Sequence, residues 1–129
     1  MPRNDSVQMD DKPMGEAMEW TSKARGSALV VSPSGAIDHD SAEAFQKNLM
    51  DALGQLAEAA GPLVVDFGGV EYMSSVGLRA LMRVSKEAKT KSVQLSVANL
   101  NETMLEIFQI SRFDKILPVH ASVDAALAG

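Results

Sequence analysis

Val64-Val65-Asp66-Phe67-Gly68-Gly69-Val70-Glu71-Tyr72-Met73-Ser74-Ser75-Val76-Gly77-Leu78-Arg79-Ala80-Leu81 is the stretch around which this chain is organised. An apolar, β-branched run passes through a Gly-Gly turn and delivers two serines. A helical pattern starts directly after them. Leu78, Leu81, Met82, Ser85 and Ala88 mark its inward face, and Arg79, Arg83, Lys86 and Lys89 its outward one. Leu63–Phe67 is apolar until Asp66, which fits a central strand covered on both sides.

Upstream, Glu19–Ala24 reads as an edge strand and Arg25-Gly26-Ser27 as a turn. Ala28–Val31 reads as a short buried strand, stopped by Ser32-Pro33-Ser34-Gly35. Asp40 with Glu43 fits a capping box for a helix whose face is Ala42, Phe45, Leu49, Leu53, Leu56 and Ala60. Gly61-Pro62 ends it. Downstream, Val93–Val97 alternates as a strand, and Asn99 with Glu102 offers a second capping box. Met104, Leu105, Ile107 and Phe108 give an apolar helix; Ile116-Leu117 is strand-like, and residues 122–128 form a last small helix. This alternation predicts an α/β fold: a mixed, mostly parallel sheet of four to five strands with four helices packed on it.

The 129 residues suit one domain, and a hydrophobic share of 46% suffices for a core. There is no cysteine, which excludes disulfide staples and thiolate metal sites. No apolar run nears the ~20 residues of a membrane span, and the start has no hydrophobic signal segment. A cytoplasmic protein without membrane attachment is expected. The net charge is −5, of which −3 falls on residues 1–19. This balance argues against nucleic acid as a partner. Residues 1–18 read as a flexible acidic tail and 19–129 as the domain.

Enzyme signatures are missing: no Walker loop, no GxGxxG, no HExxH and no GxSxG. His39 and His120 are the only histidines, and ordinary surface positions account for both. No catalytic residue is assigned, and the chain is expected not to be an enzyme. Asp38-His39-Asp40 is poor as a metal site, because consecutive residues rarely converge on one ion; no metal or cofactor is expected. Ser74 and Ser75 stand where a helix N-cap is expected, and capping is one reading. The other is phosphorylation. Free N–H groups and a partial positive charge at a helix start favour a phosphate, which adds nearly two negative charges without rearranging the helix. Arg79 and Arg83 would then lie on the face that a docking partner reads. If both loops follow parallel strands, Asp38 and Ser75 share one sheet edge.

Asp66 to Leu78 resembles the signature of STAS domains, in particular the stand-alone bacterial anti-sigma factor antagonists. Gly35-Ala36-Ile37-Asp38-His39-Asp40-Ser41-Ala42 resembles that family's first loop, and Val97–Phe108 with Phe113–Leu117 its closing region. The resemblance implies a protein that, unphosphorylated, binds an anti-sigma factor with serine kinase activity and frees the sigma factor. Phosphorylation would release the partner, and a PPM-type serine phosphatase would reset the switch. ATP would be bound by the kinase, so this chain needs no cofactor. The family's serine falls on Ser75, with Ser74 as the second choice and the local cap. The loop aspartate falls on Asp38. Asp40, Ser74, Ser75, Gly77, Arg79 and Arg83 complete the expected partner-binding set. Relatives often have Asp at Ser74, a hydroxyl at Val76 and Gly at Arg112. The alternatives are an unphosphorylated STAS module of a transport or signalling assembly, and a small enzyme or ligand-binding domain.

Overall fold

A computed structural model describes residues 18–59 and 61–128 of the chain. Strands β1 (Glu19–Arg25), β2 (Ala28–Ile37), β3 (Leu63–Asp66), β4 (Gly69–Met73), β5 (Leu95–Ala98) and β6 (Val119–His120) form one sheet. Helices α1 (Ala42–Ala59), α2 (Ser75–Thr90), α3 (Glu102–Ser111) and α4 (Val123–Ala128) connect or cover it. The strand order is β1-β2-β3-β5-β6, with β4 on the far part of β2. Only β1 is antiparallel, joined to β2 through Gly26 at a φ of +64°. The expected α/β class and mostly parallel sheet hold. The strands number six for two reasons. Gly69–Met73, expected as part of the turn to the serines, is a strand paired with β2, only Gly68 turning the chain. The two-residue strand Val119–His120 closes the far edge in place of Ile116-Leu117.

Alternation along the strands sorts the core into two faces. Val31, Val65 and Val97 face Phe45, Leu49 and Leu53 of α1 and Leu81 and Val84 of α2, all buried. Phe45, Phe67, Phe108 and Phe113 form a chain of rings with successive centroids 6.3, 6.2 and 5.4 Å apart. Val30, Val64 and Ala98 face the other way, under Val123, Ala126 and Leu127 of α4.

β2 runs well past the expected stop at Ser32-Pro33-Ser34-Gly35. Its pairing with β3 ends at Val31↔Val65, and that with β4 begins at Ser34↔Gly69. Pro33 falls in the gap, where the interrupted ladder tolerates a residue without an N–H. Gly35, at a φ of +94°, sits where the β2–β4 register slips, a bulge that needs glycine's freedom. Proline and glycine here shape the strand rather than end it.

Both expected capping boxes are replaced. Asp38, not Asp40, turns the chain into α1, since its Oδ1 accepts the N–H groups of Asp40 and Ser41. Asn101, not Asn99, caps α3, its Oδ1 accepting the Met104 N–H at 2.7 Å. Asn99 instead adopts a φ of +64° and donates its amide to Asp66 Oδ1 at 3.0 Å. Ile116-Leu117 is no strand: Phe113–Lys115 form a 3₁₀ turn that buries Phe113 and Leu117, and strand pairing resumes after Pro118. Ala60 and residues 1–17 of the expected tail lie outside the described residues; Met18 packs against the core.

Arg112 ends α3 in the left-handed region, at a φ of 65°, with its N–H bonding back to Gln109 and Phe108. A Cβ is strained there, and glycine is not. Arg112→Gly is expected to raise unfolding stability by about 0.5–1 kcal/mol, the relieved strain exceeding the added chain entropy. Urea denaturation tests this; an unchanged or lower midpoint counts against it.

Candidate functional site

Parallel pairing of β2 with β4 brings two loops side by side. Ile37, the last residue of β2, is in register with Met73, the last of β4. The Ser74 N–H then donates to the Ile37 carbonyl at 2.8 Å, tying the β4–α2 junction to the β2–α1 loop. Both chains turn into helices beyond this bond, so Asp38 and Ser74 open on one edge of the sheet.

Ser74 is the N-cap of α2. Its backbone is extended, and its side-chain oxygen accepts the Gly77 N–H at 3.3 Å. Ser75 is the first helical residue and is exposed. The two serines thus divide the work: one closes the helix end, and the other presents its hydroxyl to solvent.

Gly77 lies beneath them and is buried. A Cβ there would sit 2.7 Å from Met73 Cγ, 2.9 Å from Ile37 Cγ2 and 3.1 Å from the Ile37 carbonyl oxygen. Glycine lets the first turn of α2 lie directly on the ends of β2 and β4. Gly77→Ala should cost about 1–3 kcal/mol by overcrowding, against the ~1 kcal/mol that alanine otherwise gains in a helix. Thermal unfolding reads the balance, and a stabilised variant would contradict the packing.

Asp38 is half-buried. Its Oδ1 accepts the Asp40 N–H at 3.0 Å and the Ser41 N–H at 3.2 Å. The Ser41 hydroxyl accepts the Asp38 N–H at 3.0 Å and lies 3.0 Å from the Ala36 carbonyl and 3.2 Å from Asp38 Oδ1. Those two acceptors compete for its one proton. Ser41, only 8% exposed, is the hub of this loop and was not singled out from the sequence. The Asp-x-x-Ser spacing of residues 38–41 was the available signal, obscured by the competing Asp40–Glu43 pair. Asp38→Ala should cost about 1–2 kcal/mol in a urea titration, whereas Asp38→Asn, which retains an oxygen acceptor, should cost less than half of that. Equal losses would show that charge, not the hydrogen bonds, holds the loop.

Asp40, Arg79 and Arg83 are exposed. The two arginines border a groove of about 610 Å³ between α1 and α2, with His39, Glu43, Gln46 and Val76 among its other walls. Arg83 donates to Gln46 Oε1 at 3.4 Å across this groove. Tyr72, 47% exposed in β4, adds an aromatic surface two residues before Ser74; its alternating neighbours gave no hint of that exposure. His120 stands in edge strand β6, with β3 and β5 between it and β2. The structure therefore does not bring it to the serines. Among the described residues no group of three His, Cys, Asp or Glu side chains could hold a metal ion, and no helix is long and apolar enough to cross a membrane.

This constellation, two loops on one edge of a small α/β sheet, is that of the STAS domain. The STAS family model matches residues 19–126, and the chain belongs to that family. It is 30% identical over 111 residues to BtrV of Bordetella bronchiseptica, named as an anti-sigma factor antagonist, covering 86% of this chain and 93% of that one. The fold is shared with an anti-sigma factor antagonist from Thermotoga maritima, with a TM-score of 0.77 at 15% identity over 84% of this chain and 92% of that one. It is also shared with the Bacillus cell fate determinant SpoIIAA in its phosphorylated form, with a TM-score of 0.63 at 19% identity over 85% and 97%.

Proposed function

We propose that this chain is an anti-sigma factor antagonist, and that Ser75 is the phosphate acceptor of a partner-switching cycle. One observation carries the reading: an exposed serine at the start of α2 stands beside the Asp38 loop, and the Ser74–Ile37 hydrogen bond holds the two together. The names of relatives such as BtrV support the antagonist role, and SpoIIAA is a protein of this fold that exists in a phosphorylated form.

In this reading the unmodified protein docks its Asp38 and Ser75 loops, with Asp40, Arg79 and Arg83 alongside, on an anti-sigma factor that is also a serine kinase. The kinase holds ATP. The Ser75 oxygen bonds to the γ-phosphorus, the bond from that phosphorus to the bridging oxygen breaks, ADP leaves, and a base on the kinase takes the hydroxyl proton. The chain supplies the acceptor and no catalytic group. Because Ser74 alone makes the cap bond, a phosphate on Ser75 leaves that bond intact. The added charge is therefore spent on the interface, where a buried like charge costs several kcal/mol. A PPM-type phosphatase returns the hydroxyl.

Incubation with the cognate kinase and ATP should add one phosphate, mapped to Ser75 by mass spectrometry and absent from Ser75→Ala. Labelling at Ser74 would move the acceptor. In calorimetry, Ser75→Asp should weaken kinase binding about tenfold or more; unchanged affinity would exclude the switch.

A further inference from the structure

Ser75 and Arg79 stand four residues apart in the first turns of α2, both exposed. Residues at this spacing share one stripe of a helix, and an anion N-terminal to the cation is the favourable orientation. Among the described residues Arg79 makes no ion pair. Arg83 donates to Gln46, and Lys47 is paired with Asp51 at 3.3 Å. Arg79 also lines the α1–α2 groove, where Glu43 is the one acidic wall.

Resting on the reading that Ser75 carries phosphate, we propose that Arg79 holds that phosphate from within the same helix. The guanidinium is planar and permanently charged, and it meets two phosphate oxygens at once. Both side chains are exposed on one stripe of the same helix, within the i, i+4 reach of each other. With a bare hydroxyl at Ser75, Arg79 lends its charge to the groove, which then suits an acidic stretch of the partner. With phosphate in place, the groove loses that cation, and nearly two negative charges are added one residue before Val76 of its wall. Arg79 is thus a positioning residue shared between two anions, and the modification removes an attraction as well as adding a repulsion.

The test uses the full chain with phosphoserine installed at position 75 during translation, titrated by phosphorus-31 NMR. Asp38 and Asp40 on the adjoining loop, and His39, Glu43, Lys47 and Arg83 around the groove, are the other titratable or charged groups, and all but Arg83 stay constant across the variants. A paired cation favours the dianion. Arg79→Met should therefore raise the pH at which the phosphate takes up its second proton by about 0.3. Arg83→Met should raise it by less than half as much, and Arg79→Lys should restore part of the parent value. No change in Arg79→Met, or equal changes in the two methionine variants, would overturn the pairing. The phosphate is installed without a kinase, so a kinase that labels another residue would overturn the proposed function and leave this titration unaffected.

Discussion

The hydrogen bond from the Ser74 N–H to the Ile37 carbonyl depends on parallel pairing of β2 and β4, and the site depends on that bond. Two strands that end in register deliver two loops to one edge. Glycine makes the close approach possible at both ends of the arrangement. Gly35 lets β2 slip its register against β4, and Gly77 lets α2 settle on the strand ends without a side chain in the way. Chain geometry rather than a buried charge cluster holds Asp38 beside Ser75.

The division between Ser74 and Ser75 follows from helix-end chemistry. One hydroxyl satisfies an orphan N–H, and the next residue, already helical, points outward. Position 75 thereby gains access to a partner without carrying stability. Asp38 differs, because its Oδ1 also shapes the loop through Asp40 and Ser41.

Much of this was legible in the sequence. The Val64–Leu81 run gave its first strand and its helix, and the apolar spacing of α1 and α2 gave their buried faces, because period and burial coincide there. Gly69–Met73 read as turn and is strand β4, which only its pairing with β2 reveals. The misses have local physical causes. Pro33 and Gly35 read as punctuation, yet they lie at an interruption and a bulge, which only the pairing of β2 with two successive strands creates. The caps were misplaced because Asp38, Asp40, Asn99 and Asn101 are chemically equivalent candidates, and only the backbone path selects among them. Ile116-Leu117 has strand-like side chains, but Leu117 is buried from a turn. The proximity of Asp38 and Ser75 followed from the expectation of parallel strands; the bond that enforces it could not be read from side-chain patterns.

The antiparallel run of β1 has a geometric consequence. Glu19 pairs with Ser34, close to where β2 reaches the site, whereas Ala126–Ala128 lie beside Pro62 and Gln94 at the opposite end of the sheet. β1 therefore begins near the recognition edge, and α4 ends on the remote side. A bulky label on Glu19 would crowd the loops, whereas one on Ala128 would hang clear of them.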